Sequence, residues 1–228
     1  ETNVDATQGK IVERIGGGAT QVPRPNTPSL SPGQAQQQVA PPSGAQAVPV
    51  AQRAALLLDA PEEQERVKTF VGNVVWRLDN VSRGPGQPLA VGVRAEIDLP
   101  DAKLKAVMLI QKNTDATLPA SHTIELRFMP AEGGPVPGIA QIQTPQLRRE
   151  EVATGDGLIG VPAPILRNYF LIGLTRGSVA ETRNVDLIRN RGWFDVPMLL
   201  SDQRIAKITF EKGSAGERII NEAFDAWK

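Results

Sequence analysis

The chain has 228 residues, 25 basic against 25 acidic side chains, one histidine and no cysteine. Without cysteine there is no disulfide, thiolate nucleophile or cysteine-bound metal, and a single imidazole excludes any site that needs two. Zero formal net charge and one tyrosine argue against a nucleic-acid binder, which draws affinity from a basic excess and stacks bases on aromatic rings.

Residues 1 to 18 hold one short apolar pattern, Ile11, Val12 and Ile15, closed by Gly16-Gly17-Gly18. No strand precedes these glycines and no Gly-Lys-Ser/Thr follows, so they are not a phosphate-binding loop. Residues 19 to 49 carry Pro23, Pro25, Pro28, Pro32, Pro41, Pro42 and Pro49 with Gln34, Gln36, Gln37 and Gln38 between them. Such a segment has little to bury, and residues 1–49 are expected to form a disordered linker or tether. The first residue is Glu1, and a signal or membrane anchor is expected to have preceded it. The longest apolar runs, Ala54 to Leu58 and Tyr169 to Leu174, are strand-sized and too short for a bilayer.

A folded domain is expected over residues 50–228. Gln52 to Leu58 and Thr69 to Leu78 read as strands, broken by Asp59-Ala60-Pro61-Glu62-Glu63, with Gly72 marking a bulge. After the loop Arg83 to Pro88 come three apolar/polar alternations. Leu89, Val91, Val93, Ala95, Ile97 and Leu99 share a face in the first. Leu104, Ala106, Met108 and Ile110 do so in the second, and Ile124, Leu126 and Phe128 in the third. A period of two marks strands buried on one face, and Pro100-Asp101 supplies a tight corner, so an antiparallel meander is the expected spine.

Beyond Phe128 come a loop, Glu132 to Gly138, a short strand, Ile139 to Gln143, and a charged turn, Arg148 to Glu151. Gly157 to Val161 and Tyr169 to Thr175 read as strands separated by Pro162 and Pro164. Ser178-Val179-Ala180-Glu181 and Ser214-Ala215-Gly216-Glu217 both fit a capping box and predict two helices. The first has a thin apolar side of Val179, Leu187 and Ile188. The second buries Ile219, Ile220, Ala223, Phe224 and Trp227 on one stripe. Trp193 to Leu200 and Arg204 to Glu211 are strands between them, with Trp193 and Phe194 anchoring the first in the core. About nine strands and two short helices, one C-terminal, predict a mainly β protein, an antiparallel β-sandwich with helical additions.

Few residues suggest chemistry. Ser121 adjoins His122, but neighbours on an extended strand point to opposite faces, and the hydrolase motif G-x-S-x-G is absent. Glu125, Asp156 and Asp195 are conceivable paired acids for a glycosidase, although acids at strand ends usually solvate turns. No calcium loop is present, and nothing points to a cofactor or a metal. Arg176, Arg183, Arg189 and Arg191 surround the first helix as a solvated face, or, in the sharper reading, as a contact for anionic lipid or glycan. The polar link between the second and third meander strands, with Asn113, Asp115 and His122, is the candidate interaction site, because loops on a rigid scaffold carry recognition. The structural alternative is a turn in which Asn113 and Asp115 bond their own backbone.

Several stretches are distinctive. They are Val71-Gly72, Trp76-Arg77, Lys112 to Asp115, Leu118 to Glu125, Arg191 to Pro197, Glu211-Lys212-Gly213, Gly216-Glu217-Arg218 and Asn221 to Trp227. On these, residues 50 to 228 resemble an uncharacterised alphaproteobacterial family of hypothetical membrane-anchored proteins. The resemblance implies an N-terminal transmembrane helix, a Pro/Gln-rich spacer and a soluble C-terminal domain. It implies no activity, so it transfers no catalytic residue. This chain departs from the family in lacking the anchor and in the loop after Leu58. The expectation is a non-enzymatic binding or structural module of the cell envelope, periplasmic and inner-membrane anchored, that binds a protein or surface polymer. The rival is an envelope glycan or peptide hydrolase working through unrecognised carboxylates.

Overall fold

The computed structural model describes residues 49–228. The tether expected over 1–49 therefore lies, apart from Pro49, outside the described residues. Among the described residues, twelve strands and two helices follow one another. They run β1 (Ala51–Asp59), β2 (Val67–Val81), β3 (Ala90–Leu99), β4 (Leu104–Lys112), β5 (Ala120–Pro130) and β6 (Ile139–Ile142). Then come β7 (Gln146–Arg148), β8 (Asp156–Gly157), β9 (Gly160–Leu166), β10 (Tyr169–Thr175), α1 (Ser178–Asn190), β11 (Trp193–Leu200), β12 (Ile205–Glu211) and α2 (Gly213–Ala226). The described residues are mainly β and antiparallel with two helices, one of them C-terminal, in keeping with the sequence.

All strands belong to one sheet in the order β8-β7-β11-β12-β1-β2-β3-β4-β5-β10-β9, with β6 beside β11. The sheet curls into a half-barrel, so the layers a sandwich places in two sheets are opposite walls of one. Ring contacts measure the curl. Strands β2 and β11 are three places apart in the order, about 14 Å if the sheet were flat. The rings of Trp76 and Phe194 nevertheless lie 5.6 Å apart, and Phe210 stacks on Phe194 at 5.4 Å. The two ends of the order meet through the chain itself: β8 ends at Gly157 and β9 begins at Gly160. Asn184 of α1 clamps this seam with both ends of its amide, accepting from the Ile159 N–H and donating to the Ile159 carbonyl, each at 2.8 Å.

The meander is β3-β4-β5, and its alternation is the core pattern. Val93, Ala95, Ile97, Leu104, Ala106, Met108, Ile110, Ile124, Leu126 and Phe128 are all buried. Each large side chain so buried contributes about 1.5–3 kcal/mol. The corner at Pro100 to Ala102 is one 3-10 turn, ended by Lys103 in the left-handed region, whose N–H returns to the Pro100 carbonyl.

Four local expectations are corrected. Gly72 is not a bulge, since the β1–β2 register runs through it unbroken. It is glycine because a Cβ there would lie 2.0 Å from the Asp98 carbonyl oxygen. Pro162 and Pro164 do not separate strands but lie inside β9, an edge strand, where a missing N–H costs no ladder bond if it faces outward. Neither helix has the expected capping box. Gly177 and Lys212 occupy the N-cap positions, and neither helix start carries a side-chain cap bond, because Ser178 and Ser214 are already inside the first turns. Val179 is exposed, leaving Leu187, Ile188 and Asn184 as the buried side of α1. The α2 stripe of Ile219, Ile220, Ala223, Phe224 and Trp227 is buried as its periodicity predicts.

Candidate functional site

The β4–β5 loop is built by its own polar side chains. The Asn113 amide nitrogen reaches the carbonyls of Asp115, Leu118 and Ala120 at 2.8–3.0 Å, and its oxygen accepts from the Asp115 N–H. One Asp115 oxygen accepts from the Thr117 hydroxyl at 2.6 Å and from the Thr117 N–H at 2.8 Å. The hydroxyl bond, and then the backbone one, hold the Asp115 carboxyl below its ordinary value. Asn113 and Asp115 thus share one internally bonded loop. Asp115 is exposed.

His122 lies apart from that surface. It faces the core side of β5, beneath α2, with ring centroids 5.3 Å from Phe224 and 5.4 Å from Trp227. Burial pushes its pKa below the usual value; Glu181 opposes the shift and Lys112 adds to it. The structure therefore joins Asn113 and Asp115 but sets His122 behind them.

Ser121 and His122 do meet, against the expectation from strand alternation. In the β5–β10 register Leu174 pairs with His122 and Thr175 with Ala120, so Ser121 is the extra residue of a β-bulge. The bulge brings Ser121 Oγ to 3.1 Å from His122 Nδ1. No signal within the segment marks it, because it arises in the pairing with β10. The pair lacks the other requirements of a nucleophilic site. Both residues are buried, Oγ also bonds the Leu174 carbonyl at 3.4 Å, and the serine rather than a carboxylate occupies Nδ1.

The three conceivable catalytic acids stand on three different strands, each with its own partners. Glu125 on β5 accepts from the Tyr169 hydroxyl at 2.8 Å and pairs with Arg127. Asp156 on β8 pairs with Arg183 and Arg191. Asp195 on β11 receives the Arg148 Nε at 3.1 Å and Lys207 at 3.4 Å. No group of three histidine, aspartate or glutamate side chains fit to hold a metal occurs among the described residues. The arginines around α1 are also engaged. Arg176 donates to the Ala120 carbonyl and Arg189 to Asn221, while Arg183 and Arg191 hold Asp156.

Two polar clusters escape a sequence reading. On the outer face of β7-β11-β12-β1, Trp193 is half-buried, outside the core, with the guanidinium groups of Arg53 and Arg148 at 5.0 and 4.8 Å from its ring. Arg148 belongs to β7, where a solvated turn was expected, and it reaches both Asp195 and Thr209. Arg53 ties Glu211 and Glu150 together, and its bond to Glu211 draws that carboxyl below its ordinary pKa. The alternation Trp193-Phe194-Asp195-Val196 is the one signal for this face, since it sends Trp193 and Asp195 outward together. The second cluster is Lys212, buried where α2 begins. Its ammonium donates to the Ile188 and Arg189 carbonyls in the last turn of α1, and burial pushes its pKa down to about 8.

No protein-family model matches the chain, and no curated protein and no solved structure matches it either.

Proposed function

We propose that this domain is a non-enzymatic binding or structural module of the cell envelope, periplasmic and held off the inner membrane by residues 1–49. The observation that carries this reading is the employment of the reactive side chains. Ser121 and His122 bond each other, Glu125, Asp156 and Asp195 sit in separate ion pairs, and Lys212 caps α1. Ser121 and Glu125 also tie β5 to β10 through Leu174 and Tyr169, Asp156 ties β8 to α1, Asp195 ties β11 to β7, and Lys212 ties α2 to α1, which is a scaffold's use of such groups. The Pro/Gln-rich composition of residues 19 to 49 and the resemblance to membrane-anchored proteins support the tethered placement. No helix among the described residues is long and apolar enough to cross a membrane, so an anchor would have to come from outside them.

The partner is a protein or a surface polymer, and the contact is the β4–β5 loop. Its internal bonds make a pre-shaped corner that presents Asp115 at little ordering cost. Fractionation of cells making the whole protein should place it with the inner membrane, open to protease from the periplasm. A photo-crosslinking residue at Thr114 should capture one envelope component, and Asp115→Ala should abolish that product without moving the melting temperature. Release of glycan or peptide fragments from purified envelope, lost on Glu125→Gln or Asp156→Asn, would instead establish the hydrolase.

A further inference from the structure

The chain's only histidine is placed where it can control the C-terminal helix. His122 lies against both large aromatic side chains of the last turn of α2, Phe224 and Trp227, which also pack on each other at 4.7 Å. The rest of the helix's C-terminal attachment is polar, and from α1 Arg189 donates to Asn221 at 2.8 Å and reaches Asp225 at 3.5 Å. The Trp227 indole N–H donates to the Val91 carbonyl at 2.8 Å, and Lys112 donates to the Trp227 carbonyl. We propose that His122 makes α2 an acid-responsive latch, in which a proton on the imidazole loosens the helix from the end of the curled sheet.

The charges facing the ring can be taken element by element. From β4 comes Lys112, opposite His122 in the register, so a second cation would form beside an existing one. From α1 comes Glu181, which favours the charged ring. Arg176, after β10, is engaged at the Ala120 carbonyl two residues away, and Arg189 lies 6.0 Å over the Phe224 ring. From α2 itself the ring meets Phe224 and Trp227. Aromatic faces and Glu181 offset part of the cost of the proton, and burial is the larger effect.

The sign follows from linkage. The folded pKa lies below the ordinary 6.5, so the loosened state binds the proton more readily. The latch is fully closed above pH 6.5 and weakens as the pH falls below it. Each unit of depression weakens closure by about tenfold once the pH has passed the folded value. Opening uncovers the apolar seat of Phe224 and Trp227.

Hydrogen exchange on the whole protein at a series of pH values from about 7.5 down to about 5, with rates corrected to the intrinsic values, tests it. Residues 219–227 should lose protection at the lower pH while β3, β4 and β12 keep theirs, and a dye for exposed apolar surface should bind in parallel. Glu181→Gln should move the midpoint to higher acidity, because it removes the group that favours the proton. His122→Gln should erase the step. Equal protection of α2 across the series overturns the proposal, as does a step that persists in His122→Gln. If that variant fails to fold, an unmoved midpoint in Glu181→Gln overturns it alone.

Discussion

Trp227→Ala tests whether α2 is a structural lid. A helix of this length is marginal alone in water, so α2 must be held by what it buries. Trp227 is 5 % exposed, packs edge-on to Phe224 and against His122, and spends its indole N–H on the Val91 carbonyl. Truncating a buried tryptophan costs about 4 kcal/mol, of which the lost hydrogen bond is about 1 kcal/mol. Domains of this kind are stable by roughly 5–15 kcal/mol, so the loss removes a large share. Urea unfolding followed by circular dichroism should show the midpoint fall by that amount divided by the slope, with the slope itself unchanged. Trp227→Phe, which keeps a ring but not the N–H, should recover most of it. A Trp227→Ala protein within about 1 kcal/mol of the parent would refute the lid, since a tail that merely touches the sheet loses little. Deletion of residues 214–228 that abolished partner capture but left melting unchanged would make α2 the functional element.

Ser214→Ala should change stability by less than about 0.5 kcal/mol in chemical denaturation, because Ser214 makes no cap bond and alanine is the better helix former. Gly72→Ala should cost about 3 kcal/mol or prevent folding, whereas Gly157→Ala, with open space at its Cβ, should be nearly silent in the same melts. Asp195→Ala should cost about 3 kcal/mol by urea unfolding, since it strands Arg148 and Lys207 beside a fully buried position. Arg53 holds the Glu211 carboxyl below its ordinary pKa of 4.5, so this pair contributes stability above that pH and loses it as the pH falls through the lowered folded value. Arg53→Gln should therefore flatten the acid limb of the stability profile, read as unfolding midpoints from neutral pH down to about pH 3.

Periodicity alone determined the strands β1 to β5, β10, β11 and β12 and the buried stripe of α2. These patterns are local: a period of two or 3.6 states which side chains must leave water, whatever lies across from them. Asn113 and Asp115 were legible as a turn for the same reason, since their bonds close within seven residues. Tertiary structure decided what depends on partners distant in sequence. The single curled sheet in place of separate layers follows from β1 pairing with β12 as well as β2, and from the two-residue link between β8 and β9. The bulge that turns Ser121 toward His122 exists only against β10. The outer cluster joins Arg53 to Glu211, 158 positions away, so no window of sequence contains it. His122 acquires its aromatic surroundings only when the last turn of the chain folds over β5, and desolvation, which a sequence does not display, then sets its charge.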